Sequence, residues 1–424
     1  MKLFSLRLTT LKSKLYAIFI AAIVLRVVGF LVLPNTPSTL APDEGNYGEL
    51  TEWIAEGKPA EKYPYTNLYA ASRSLILPAV FVNRIGLNGL DSVRMTASTY
   101  GLLTLAIAIF LILKLKDTKL QVSDYIMSNQ KMIVLLLSTY AFLPSHLAWS
   151  IVGLREAALE FWVLLAFFFV FYLFEIKKSG SIFASVGILI SLVLVFSSRP
   201  QVGWVLGTTL LIYFFIRIKL RFAQILLLLT LVGILLGYLA TTPLPPGANR
   251  TFDPRVNLGT VLLDRVDSIP IHHELNKLEA SSVIKTQDCR IPDGVRSDVY
   301  FCVVNRVPYT TYTFLVRPML GADVTSSASL FAAIENTFWL AAFLFVILML
   351  IRNRRLTFFG PLAPSLIFFS IYSVAAGTYE GNMGTAFRHK SLILWVVILL
   401  LASTIVATQQ RRAKQQGISG SSQE

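Results

Sequence analysis

The chain has 424 residues, of which 54% are hydrophobic and only 15% charged, and its formal net charge is +14 at pH 7. A mean hydropathy of +0.63 excludes an ordinary soluble globular protein and implies a polytopic membrane protein. In a soluble chain such a basic surplus suggests nucleic acid as a partner. In a membrane chain it records topology and contact with anionic lipid, so no nucleic-acid partner is expected.

In chain order, about ten apolar runs have the roughly 17 to 25 residues that a helix needs to cross a hydrocarbon core of about 30 Å. They are centred near Val24, Leu105, Leu137, Leu165, Ile190, Leu210, Leu229, Leu344, Phe368 and Ile398. The first follows Lys2, Arg7, Lys12 and Lys14 but exceeds a signal-peptide core and lacks a small-x-small cleavage site after it. It is expected to stay as a span. Arg26 lies within it and either faces protein or a wet cavity, or snorkels toward the outer headgroups.

Arg73 to Asn88, RSLILPAVFVNRIGLN, is apolar but short and interrupted by Pro78, Asn83 and Arg84. Read as an interfacial or re-entrant helix rather than a crossing, it makes residues 35–94 one long outer loop. The basic clusters at the N-terminus, Lys114 to Lys131, Lys177 and Lys178, Arg217 to Arg221, Arg352 to Arg355 and Arg411 to Lys414 then share one side. By the positive-inside rule that side is the cytoplasm, with both termini in it.

The second large outer insertion covers residues 241–329, begins with TPLPPG and shows little helical period except around IHHELNKLEA. It holds the only cysteines, Cys289 and Cys302. On the oxidising side of a membrane they are read as a disulfide closing a loop worth about 3 kcal/mol. Metal ligation with His272 and His273 is the alternative, although the spacing matches no familiar zinc pattern. The membrane domain is expected over residues 1–414, followed by a cytoplasmic tail, 415–424. No internal repeat of the transporter kind is visible.

Candidate chemical groups fall at predicted outer ends of spans. Asp43 and Glu44 follow the first span, with Tyr47 close by. Arg155, Glu156 and Glu160 stand in GLREAALE, Arg199 in SSRPQ and Arg317 in FLVRPML. Glu380, Asn382, Arg388, His389 and Lys390 lie in or beside EGNMGTAFRHK. Guanidiniums and a Lys suit a lipid-linked phosphate, and a carboxylate suits removal of a proton from an attacking hydroxyl or amine.

DEGNYGELTEWIAEGK after the first span resembles the Asp-Glu-x-x-Tyr segment that opens the first outer loop of GT-C membrane glycosyltransferases, which include protein O-mannosyltransferases and the aminoarabinose transferase of lipid A. The resemblance extends in outline to Arg26, to LDSVRMTASTYGLL and to FLPSHLAWSIVGLREAALEF. It implies an all-α polytopic fold with two large extracytoplasmic loops in a bacterial inner membrane. It also implies transfer of a sugar from a polyprenyl-phosphate carrier to an extracytoplasmic glycan, lipid or protein acceptor. Asp43 matches the catalytic acidic position and Glu44 its neighbour, with a divalent metal beside Asp43 left open and no other cofactor expected. Arg155 and Glu156 are weaker correspondences. EGNMGTAFRHK and FLVRPML look more like membrane proteins of bacterial polysaccharide loci. A polymerase of lipid-linked repeat units and a lipid or sugar flippase are the alternative readings.

Overall fold

The computed structural model describes residues 11–37, 43–64, 68–69, 72–115, 130–176, 181–217, 296–324, 326–352, 363–379, 383–399 and 401. Among them there is no strand, and the chain is a helical membrane protein. Helices Ser13–Val32, Gly89–Leu113, Arg155–Phe174 and Ser329–Leu348 are long and apolar enough to cross a bilayer, and the pair Ile133–Phe142 and Pro144–Ile151, bent by 43°, is a fifth if taken as one span. Ile182–Phe196, Pro200–Phe215 and Ala363–Thr378 are shorter apolar helices. The run near Leu229 lies outside the described residues.

In chain order the helices are α1 (Leu11–Val32), α2 (Asp43–Ala55), α3 (Arg73–Arg84), α4 (Gly89–Leu115), α5 (Gln130–Phe142), α6 (Pro144–Ile151) and α7 (Arg155–Phe171). They continue with α8 (Ser181–Phe196), α9 (Pro200–Arg217), α10 (Arg296–Val316), α11 (Ser327–Arg352), α12 (Ala363–Tyr379), α13 (Met383–His389) and α14, residues 391–399. Helix α10 falls inside the insertion in which little helical period was expected. Its polar residues and internal Pro308 hide the helix from a hydropathy reading, and its packing on α12 reveals it. A Cβ on Gly377 of α12 would meet the Thr311 backbone at 2.8 Å, which shows how closely the two approach.

Helix α3 is too short to span, since 12 residues rise only about 18 Å. One face, Ser74, Leu75, Ile76, Ala79 and Val80, is buried, whereas Leu77, Phe81 and Ile85 are exposed. Ser74 secures the buried face: its N–H donates to Ser198 Oγ at 3.1 Å, and its carbonyl accepts from the Tyr100 hydroxyl at 2.8 Å. Leu75, Ile76, Ala79 and Val80 join Tyr47, Leu50, Tyr63, Val93, Ala97, Tyr100, Leu154 and Phe161 in a core separate from that of the main bundle. This smaller core supports α2 and the start of α7.

The α5–α6 break follows from Pro144, which has no N–H and disfavours helical geometry at the preceding Leu143. The N–H groups that open α6 then need partners inside the bundle. Glu335 of α11 provides one, accepting from Ser145 N at 3.0 Å and also from the Ser145 hydroxyl.

The turn into α7 depends on Gly153, whose φ of +66° is left-handed. A Cβ there would also stand 2.9 Å from Val93 Cγ1 and 3.3 Å from Glu44 Oε1. Gly153→Ala is therefore expected to cost at least about 1–2 kcal/mol, read as a lowered thermal midpoint in detergent. An unchanged midpoint would show that the turn relaxes without strain.

Candidate functional site

Four chain segments bring charged residues together above the smaller core. Asp43 stands in the first turn of α2, where the helix dipole favours an acid. Arg155 and Glu156 open α7, and Arg199 is the last of the three residues between the end of α8 and Pro200, which starts α9. Arg388 and His389 close α13.

Glu156 is the hub. Its side chain is 1% exposed, and Oε1 lies 3.2 Å from Arg388 Nε, 3.6 Å from Arg199 Nη1 and 3.6 Å from His389 Nε2. These groups surround it without a well-aligned hydrogen bond on either oxygen. Arg388 also donates through Nη1 to Asp43 Oδ2 at 3.2 Å, so one guanidinium is shared between two carboxylates. Glu156, and then Asp43, hold Arg388 above its ordinary pKa against the opposing effect of burial. Asp43 differs from Glu156 in access, because its side chain is 41% exposed. Tyr47 lies beneath, buried, within the field of Arg155, Glu156, Asp43 and Arg388, and burial pushes its phenol up to about 12. It is neutral at physiological pH.

Arg199 Nη1 touches His389 Nε2. Among the described residues the cluster sets the guanidiniums of Arg155, Arg199 and Arg388 around the carboxylates of Asp43 and Glu156.

The other predicted residues go elsewhere. Glu44 is wholly buried and forms a bidentate pair with Arg94, whose Nε donates to Oε1 at 2.7 Å and whose Nη2 donates to Oε2 at 3.1 Å. Arg94 also ties down the carbonyls of Pro34 and Thr36. Such a pair fixes the chain between α1 and α2, and so sets the position of Asp43. Arg317 is paired with Asp323 through two Nε contacts of 3.0 and 2.9 Å, and this holds the Asp323 carboxyl below its ordinary range. Lys390 is buried and turned from Arg388: its Nζ donates to Leu315 O at 3.2 Å, to Asn336 Oδ1 at 2.6 Å and to Arg317 O. Three oxygens take all three ammonium protons. Glu380, Asn382 and Cys289 lie outside the described residues, as does the Cys302 side chain, and with them the disulfide and the His272–His273 alternative.

The structure also gathers ionisable groups inside the bundle. Glu160, one turn beyond Glu156 on α7, accepts from the Tyr140 hydroxyl and lies 3.1 Å from His146 Nδ1. Tyr140 and His146 stack at 4.5 Å. Arg26 is buried rather than snorkelling and donates to Ser150 Oγ at 3.1 Å and to Ala22 O at 3.2 Å. The sequence signal for this unit was Pro144 beside His146 in an apolar run, with Arg26 and Glu160 at helical depth.

Among the described residues no group of three His, Cys, Asp or Glu side chains is placed to hold a metal ion. The carboxylates of Asp43 and Glu156 both face guanidiniums, so the donor set suits an anion better than a divalent cation. The chain matches no family model, no curated protein and no solved structure.

Proposed function

We propose that the protein is a membrane glycosyltransferase that moves a sugar from a polyprenyl-phosphate-linked donor to an extracytoplasmic acceptor in cell-surface polysaccharide or glycolipid synthesis. The observation that carries this reading is the exposed Asp43 carboxylate beside Arg388, in a cluster where Arg388 and Arg199 also meet Glu156. The proposal includes about ten spans, both termini in the cytoplasm of a bacterial cell, and a cluster on the opposite face of the inner membrane. In this reading Asp43 takes the proton of the acceptor hydroxyl or amine as that atom bonds to the anomeric carbon. The bond from that carbon to the phosphate oxygen breaks, the electron pair leaves with the phosphate, and Arg388 and Arg199 stabilise the developing charge. The proton passes from Asp43 to solvent.

The test is release of polyprenyl phosphate from a labelled lipid-linked sugar by the purified protein. Lipid recovered intact in the opposite leaflet would instead identify a flippase. That second reading has an observation in its favour, since a broken helix pair lined by buried Tyr140, His146, Glu160 and Glu335 is a feature expected of transporters. Loss of one charge-assisted phosphate contact in Arg388→Ala is expected to weaken donor binding about tenfold or more. Unchanged donor affinity would remove Arg388 from this role.

A further inference from the structure

Arg388 connects two carboxylates of different character. Glu156 is buried, whereas Asp43 is partly exposed and reaches the same guanidinium through one oxygen, Oδ2, at 3.2 Å. A buried acid beneath a cation fixes it in place. An exposed acid on its outward side occupies the direction from which an external anion would approach. In this arrangement Asp43 fills with its own oxygen a position that suits a non-bridging oxygen of a phosphate ester. The same contact engages a carboxylate oxygen that would otherwise be free to receive a proton.

We infer that the Asp43–Arg388 pair is an internal latch, in which Asp43 occupies the anion subsite and is released only when the phosphate group of a phosphate ester takes its place on Arg388. The inference rests on the glycosyltransferase reading for its consequence: the phosphate-bearing donor binds first, and its binding frees the base for the acceptor. Glu156 is a positioning residue here, because it touches Arg388 and keeps the guanidinium in place while its outward partner changes. No covalent change accompanies the exchange. One ion pair is replaced by another, and the net charge of the cluster falls by the charge of the incoming phosphate.

The latch makes a prediction opposite in sign to that for an acid that helps to hold the donor. Decyl phosphate in uncharged detergent micelles is the probe, with inorganic phosphate as the second arm, and binding is measured by titration of the purified full-length protein. Asp43→Asn keeps the side-chain shape and removes the competing charge. It is expected to bind decyl phosphate about two- to fivefold more tightly than wild type, the range that partly exposed ion pairs support. The gain must vanish in the Arg388→Gln background, because a cycle of the two substitutions isolates their coupling. A gain that persists without Arg388 reports only general electrostatics and overturns the latch, as does unchanged or weaker binding to Asp43→Asn. Asp43→Ser serves the same cycle if the Asn variant is poorly folded. A gain with decyl phosphate alone assigns the competing group to lipid-borne phosphate, and a gain in both arms assigns it to phosphate anions generally. If wild type binds neither probe, the glycosyltransferase reading fails. If wild type binds and the variants do not differ, only the latch fails.

Discussion

Replacing Asp43 with Asn is expected to lower sugar transfer by about 10²–10⁴-fold, the usual contribution of a positioned general base. Asn is nearly isosteric, and Asp43 lies at the exposed edge of the cluster, so the variant should keep the thermal midpoint of the wild type. The paired measurements are release of polyprenyl phosphate from labelled donor and the melting curve in the same detergent. Wild-type turnover in a well-folded variant would remove Asp43 as the base. Loss of turnover together with a collapsed midpoint would make it a structural residue.

Glu156→Gln is expected to act on stability first. Glu156 is enclosed, and it balances Arg388 and Arg199 at 3.2 and 3.6 Å. Removing one member of a buried ion group leaves its partners uncompensated, at a cost of about 3–5 kcal/mol. Against the roughly 5–15 kcal/mol that separates folded from unfolded states, this is a large share. The prediction is a marked drop in thermal midpoint with transfer lost at temperatures the wild type tolerates. Glu156→Gln combined with Arg388→Met should recover part of the stability but none of the transfer, because the unpaired charge is gone along with the phosphate ligand. A single variant as stable as wild type would mean that solvent or lipid compensates the guanidiniums, and Glu156 would not be the centre of the cluster.

Several of these features could be read from the sequence, and physical reasons separate them from the rest. The placing of basic clusters among the apolar runs put Asp43 and Arg388 on one side of the membrane, and the structure brings them to 3.2 Å. Arg73 to Asn88 reads as a helix that does not cross because its apolar run is short and carries Pro78, and a 12-residue helix, Arg73–Arg84, is found there. Adjacent charges were harder to separate. Arg388, His389 and Lys390 look like one basic patch, yet successive side chains at a helix end point about 100° apart. Arg388 therefore turns to Asp43 and Glu156 while Lys390 turns to the end of α10 and to Asn336. Asp43 and Glu44 divide in the same way, one to the open cluster and one to buried Arg94. Partners 50 residues apart, such as Glu44 and Arg94, leave no periodic trace, and neither does the approach of Glu335 to Ser145 across 190 residues.

The capping of α6 by Glu335 also constrains motion. Glu335 and Asn336 are neighbours on α11: the first holds the Ser145 N–H at the helix break, and the second accepts from Lys390 and donates to Pro318 O at 3.2 Å. A piston displacement of α11 by one turn, about 5.4 Å, would uncap a backbone N–H inside the bundle and pull on Lys390, two positions from Arg388. The vertical register of a peripheral helix is thus mechanically geared to the guanidinium that faces Asp43.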